Sequence, residues 1–125
     1  MPTVLVVDDE VGALTLVAIM LERTGLDILK AQNAKIALEI LETNHPDLMV
    51  TDIMMPGMDG IELCRTVRAN PRFKNLPIIL LSARRDPESV KSGLEAGADD
   101  YLQKPVLHRT LVAKIQKALQ NTPGE

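Results

Sequence analysis

The stretch LMVTDIMMPGMDG, Leu48 to Gly60, decides how the chain is read. Its opening residues are apolar at successive positions, the pattern of a strand covered on both faces; a strand with one wet face would alternate with period two. The run ends on a lone carboxylate, Asp52. A loop punctuated by Pro56, Gly57 and Gly60 follows and carries a second acid, Asp59. By itself Asp59-Gly60 reads as a turn that starts a helix.

Working outward, β-rich runs occur at Thr3 to Asp8 (TVLVVD), Leu26 to Ala31 (LDILKA), Asp47 to Asp52 (DLMVTD), Pro77 to Ser82 (PIILLS) and Asp100 to Lys104 (DYLQK). Helical patterns lie between them. Val11, Leu14, Val17, Ala18 and Leu21 recur at helical spacing, with Gly25 as a left-handed cap. Asn33 offers an N-cap for Ala34 to Thr43, with Pro46 just beyond. A third helix is expected from Ile61 to Asn70, and a fourth after Asp86-Pro87, where proline suits the first helical position. Leu107, Leu111, Ile115 and Leu119 give a last helix in steps of four. Repeated alternation of strand and helix predicts an α/β, doubly wound domain, with one parallel sheet and helices on both faces. Ligands of such sheets bind beyond the carboxyl ends of the strands.

At 125 residues the chain fits one domain with a core of its own, expected over residues 1–120, with NTPGE at 121–125 as a disordered tail. Hydrophobic residues make up 46% and charged residues 25%, which suggests neither disorder nor a membrane role. No apolar run approaches the roughly 18 residues of a bilayer span, and MPTVLVVDDE shows neither a basic leader nor a cleavage site. A cytoplasmic protein is expected. Cys64 is the only cysteine and reads as a small packing residue. A net charge of -3 lacks the footprint of direct nucleic-acid binding. His45 and His108 read as surface residues.

The strand ends carry the chemistry. The first ends in Asp8-Asp9-Glu10, the third in Asp52, the fourth in Ser82 and the fifth in Lys104-Pro105. Parallel strands bring these ends to one edge. Clustered carboxylates repel one another, and a hard divalent cation relieves that; Mg²⁺ suits because it keeps waters and completes its shell with a phosphate oxygen. Each residue has an ordinary alternative. Asp9 could cap the first helix, Asp8 could be a solvated strand end, Ser82 a loop hydroxyl and Lys104 a surface lysine. Those alternatives lose weight once one strand-order argument puts the groups at the same edge.

The segments VVDDE, DIMMPGMDG, LLSA and GADDYLQKP stand in an order and spacing that resembles the receiver domain of bacterial two-component response regulators, as far as Gln120. The resemblance implies a flavodoxin-like (βα)5 fold with strand order 2-1-3-4-5. It implies a phosphoacceptor switch, not a turnover enzyme, in which Asp52 takes a phosphoryl group from a phosphohistidine. Asp8, Asp9, Asp52 and the backbone carbonyl of Met54 are then the ligands of Mg²⁺, with Mn²⁺ as a substitute. Lys104 and Ser82 are implied to bind phosphoryl oxygens, Ser82 and Tyr101 to form the conformational switch, and Lys104-Pro105 to be a cis peptide. Ser82 stands where threonine is commoner, which keeps the hydroxyl and drops the methyl that restricts its rotamer. Met54 and Arg84 occupy positions that tune access of water to the phosphate.

The implied partners are a sensor histidine kinase or phosphotransfer protein and a downstream effector or fused output domain. Lys91, Glu95, Asp99, Asp100, Lys114 and Lys117 fall where a phosphorylation-dependent homodimer would form ion pairs; a merely solvated surface is the alternative. Two other functions compete. An aspartyl-nucleophile phosphatase would resemble an Asp-x-Asp arrangement, and Met54 stands at the second acid's place. A pseudo-receiver binding module would not need the intact set Asp8, Asp9, Asp52, Ser82 and Lys104.

Overall fold

The computed structural model describes residues 2–83 and 87–120. The first strand, β1 (Thr3–Val7), is followed in turn by α1 (Val11–Glu22), β2 (Asp27–Ala31), α2 (Ala34–Thr43), β3 (Leu48–Asp52), α3 (Gly60–Ala69), β4 (Ile78–Ser82), α4 (Pro87–Glu95), β5 (Asp100–Gln103) and α5 (His108–Gln120). All neighbouring strands pair in parallel, as the alternation of strand and helix leads one to expect, in the order β2-β1-β3-β4-β5 that the resemblance implies. The expected tail, 121–125, lies outside the described residues, as do Asp86 and Arg84.

β3 and β4 are buried along their whole length, which explains why their sequences run apolar without alternation. Side chains pointing to one face, among them Leu5, Val7, Met49, Ile78 and Leu80, pack with Ala37, Leu41, Leu63, Cys64 and Val67 of α2 and α3. Those on the other face, Val4, Val6, Leu48, Val50, Ile79 and Leu81, pack with Leu14 and Leu21 of α1 and Leu111 and Ile115 of α5. Each fully buried aliphatic side chain contributes about 1.5–3 kcal/mol, so two such layers hold the central strand ends rigidly. Cys64 belongs to this packing, and burial pushes its thiol above the ordinary value.

The helix starts follow the local chemistry, with one difference. Asn33 caps α2 through a bond from Ile36 N–H, and Asp59 caps α3 through one from Glu62 N–H. At α1 the cap is Glu10, whose carboxylate accepts from Gly12 N–H and Ala13 N–H; Asp9 does not take that role. Gly25 has φ of 93°, the left-handed conformation expected of it.

Two residues expected on apolar stripes lie outside them. Val11 sits on the opening turn of α1 and is 53% exposed, and Leu107 precedes α5 by one residue and is 69% exposed. The outer face of α1 also shows Leu16 and Ile19 to solvent. One short element was not anticipated: a 3-10 turn at Pro71–Phe73, capped by Asn70, that buries the only phenylalanine. His45 stays exposed but meets the Phe73 ring edge-on at 5.2 Å.

Candidate functional site

The crossover that leaves β1 runs to β2 on one side and the one that leaves β3 runs to β4 on the other, so the strand order reverses between β1 and β3, where such a sheet opens a crevice beyond its carboxyl ends. Asp8 follows the last residue of β1, and Asp52 is the last residue of β3. Both are buried, while Asp9 next to them is exposed. Each of these three acids offers one oxygen within 4.8 Å of the others. The donors are all hard oxygens, the set a divalent cation such as Mg²⁺ takes.

The ammonium of Lys104 reaches into the same space from beyond β5. Its Nζ lies 3.2 Å from Asp8 Oδ2 and 3.4 Å from Asp52 Oδ1. Asp52 Oδ1 also accepts from Ile53 N–H at 3.0 Å, and Asp8 Oδ1 from Glu10 N–H at 3.0 Å. Burial raises the Asp52 carboxyl above its ordinary value; the Asp8 charge adds to this, while Lys104 and the Ile53 amide oppose it. For Lys104 burial works downward, but the Asp52 and Asp8 charges outweigh it and hold the ammonium above its ordinary range. Asp52 is thus a partly destabilised carboxylate beside a firmly charged lysine.

Ser82 ends β4 one position past Leu81, the residue opposite Asp52, and is fully buried. Its carbonyl accepts from Lys104 N–H at 2.7 Å, which anchors the chain before the lysine. The Lys104-Pro105 peptide is cis. Met54 turns its side chain outward and is 54% exposed. Tyr101 lies on β5 opposite Leu80, against Gly93 of α4, and its buried hydroxyl has no hydrogen-bond partner among the described residues.

The expected dimer residues sit apart from this crevice, and two have cations of their own chain. Asp100 pairs with Lys114 at 3.1 Å. Asp99 pairs with Arg68 at 2.9 Å and accepts from Ile78 N–H, while Arg68 also donates to the carbonyls of Gly97 and Phe73. Lys91 and Glu95 lie on the exposed side of α4, and Lys117 is exposed on α5. Sequence reasoning gave Arg68 no role. Its signal, an arginine in the last turn of a helix, is too common to read without the fold.

A doubly wound α/β domain that gathers three acids and a lysine at its β1/β3 crevice defines the class of protein. The comparisons with known proteins agree. The model of the response regulator receiver domain matches residues 4–116. A transcriptional regulatory protein of Streptomyces coelicolor, AfsQ1, is 43% identical over 125 residues, covering 100% of this chain and 54% of that protein. The phosphate regulon regulator PhoB of Pseudomonas aeruginosa is 40% identical, over 98% of this chain and 54% of its own length. Among solved structures, the receiver domain of Francisella response regulator 1452 superposes with a TM-score of 0.89 at 36% identity, covering 96% of this chain and 98% of that one. The receiver domain of a signal transduction histidine kinase from Syntrophus aciditrophicus gives 0.93 at 32% identity, covering 100% and 95%.

This chain belongs to the response regulator receiver domain family. It is a receiver domain of two-component signalling. The chain spans about half the length of the curated relatives it matches. Among the described residues no helix is long and apolar enough to cross a membrane.

Proposed function

We propose that Asp52 is the phosphoacceptor. The observation that carries this is the setting of its carboxylate, buried at the end of the central strand and 3.4 Å from the ammonium of Lys104. An Asp52 oxygen attacks the phosphorus of a phosphohistidine. The O–P bond forms as the P–N bond breaks, and the histidine nitrogen keeps the bonding pair. A carboxylate is a competent nucleophile for this transfer, whose barrier depends mainly on in-line placement and neutralised equatorial oxygens. Lys104 supplies a fixed positive charge, and Ser82 stands where its hydroxyl could receive a phosphoryl oxygen.

Asp8, Asp9, Asp52 and the Met54 carbonyl would hold Mg²⁺, or Mn²⁺ in its place, and that ion supplies further neutralisation of phosphoryl charge when bound. Phosphorylation adds about -1.5 to -2 charges beside Lys104 and Ser82. The readout we infer is a shift in the α4–β5 region, where the Tyr101 hydroxyl is unpartnered among the described residues. The phosphatase alternative lacks its second acid, since Met54 stands there with its side chain exposed. A pseudo-receiver would not require the complete acid and lysine set.

The phosphodonor fits a sensor histidine kinase or phosphotransfer protein, received on the outer face of α1, where Leu16 and Ile19 are exposed, with Leu107 of the loop before α5 beside it in our reading. An effector protein or fused output domain receives the signal. Homodimerisation through α4, β5 and α5 is supported by Leu94, 47% exposed between the charges of Lys91 and Glu95. The decisive experiment is intact-mass measurement after incubation with Mg²⁺ and a small phosphodonor. Wild type should gain one phosphate and Asp52→Asn none; a gain that survives in the variant refutes the assignment.

A further inference from the structure

We infer that Thr51 and Gly60 are positioning residues for Asp52, because together they fix the Asp52–Ile53 peptide whose N–H holds one oxygen of the Asp52 carboxylate. The inference rests on the reading of Asp52 as phosphoacceptor. Three contacts meet on this one peptide and its neighbour. Thr51 is fully buried in an otherwise apolar stretch of β3, and its hydroxyl donates to the Asp52 backbone carbonyl at 2.9 Å. Gly60, the buried first residue of α3, donates its N–H to the Ile53 carbonyl at 2.9 Å. A Cβ at position 60 would overlap the Asp52 carbonyl oxygen and stand 2.8 Å from Ile53 Cα, both backbone atoms that cannot swing aside.

The peptide is planar, so its carbonyl and its N–H turn together. The N–H of that plane is the donor that reaches Asp52 Oδ1 at 3.0 Å, the same oxygen that faces Lys104. Thr51 and Gly60 therefore act on the carboxylate without touching it. One grips the carbonyl through a hydrogen bond, and the other lets the α3 backbone lie against it. Turning this plane would re-aim the carboxylate while leaving the two hydrophobic layers in place, and misplacing a reacting group by a fraction of an ångström is enough to slow an in-line displacement. A hydroxyl used only to satisfy itself would have no such effect.

The test uses acetyl phosphate with Mg²⁺ in excess. A carboxylate oxygen bonds to phosphorus as the bond from phosphorus to the acetate oxygen breaks, and acetate leaves with the electron pair. Incorporation is timed by intact mass for wild type, Thr51→Val, Thr51→Ser, Gly60→Ala and Asp52→Asn, each checked by circular dichroism to be folded at the assay temperature. Thr51→Val should be slower by about three- to tenfold, the loss of one hydrogen bond's worth of orientation, and Thr51→Ser should restore the wild-type rate. Gly60→Ala should be slower still where it folds. In parallel the Ile53 amide proton shift is followed through the Asp52 titration by NMR. Its response should be large in wild type and in Thr51→Ser and reduced in Thr51→Val. A Thr51→Val protein with the wild-type rate and an unchanged Ile53 response overturns the inference. No phosphate gain in wild type, or a gain kept by Asp52→Asn, refutes the phosphoacceptor reading instead; the Ile53 response still decides the positioning claim in that case.

Discussion

Lys104 Nζ lies 3.2 Å from Asp8 Oδ2, although the two residues are 96 positions apart in the chain. The contact joins the segment after β5 to the end of β1 across the mouth of the crevice. Asp52 lies within 3.4 Å of the same nitrogen. Two buried carboxylates next to each other are unfavourable, and Lys104 is the cation that keeps them together.

Lys104→Met should therefore leave Asp8 and Asp52 without their compensating charge. Phosphorylation by a small donor should slow about 100-fold, the scale seen when one fixed donor to a developing charge is removed. The Asp52 carboxyl should titrate higher than in wild type, because burial and Asp8 then act unopposed by the ammonium. Carbon-13 NMR of the side-chain carboxyls reads this directly, and an unchanged Asp52 titration would count against the charge argument.

The pH dependence of stability follows from the signs. The folded state raises the Asp52 value above 3.8, so the folded protein binds this proton more tightly than the unfolded chain. The associated stability is fully present below 3.8 and is lost as pH rises through the folded value. At neutral pH an ionised Asp52 is thus a net cost, and Asp52→Asn should be more stable than wild type by on the order of 1 kcal/mol without divalent metal. That advantage should shrink on acidification. Lys104 is also raised, above 10.5, so its contribution holds through neutral pH and falls only as pH rises through that higher value. Urea unfolding between acid and neutral pH checks the Asp52 part; a variant advantage that grows towards low pH has the wrong sign.

Mg²⁺ should reverse the Asp52→Asn advantage. Binding to the folded acids alone stabilises wild type by about 2.7 kcal/mol at a hundredfold excess over Kd. Asp8→Asn/Asp9→Asn should lose most of this gain. The measurement is thermal unfolding against Mg²⁺ concentration, and an equal shift in the double variant would remove the three-acid cluster as the site.

Tyr101 keeps a hydroxyl in the interior with no hydrogen-bond partner among the described residues. Tyr101→Phe should therefore raise stability by about 1–2 kcal/mol, the cost of burying that group unpaired. Gly93→Ala should act on the same ring, since a Cβ there would stand 2.7 Å from Leu80 Cδ1 and 3.3 Å from Tyr101 Cδ2. We expect a loss of about 1–3 kcal/mol and a ring moved towards solvent. Tyr101 is the only tyrosine and the chain has no tryptophan, so acrylamide quenching of its fluorescence reports the ring position cleanly. Quenching unchanged from wild type would show that the slot gives way elsewhere.

The sequence by itself determined the alternation of strands and helices, because β3 and β4 are buried on both faces and such strands leave an uninterrupted apolar run. It determined Asn33 as a helix cap and Asp59 as a helix-start residue, since a cap is a local bond between a side chain and an amide three residues on. It also placed Asp8, Asp52, Ser82 and Lys104 at strand ends, which parallel pairing carries to one edge. The tertiary structure decided what depends on distance across the fold. That Glu10 caps α1, while Asp9 lies with Asp8 and Asp52, is one such outcome. That Asp99 and Asp100 pair with Arg68 and Lys114 of their own chain could not be read from spacing, because those partners come from α3 and α5. Thr51 looked like one more strand residue beside Asp52. Only the packing of α3 against the end of β3 showed its hydroxyl and Gly60 closing on the same peptide, since that meeting is set by how two layers of side chains fill space and not by any local preference.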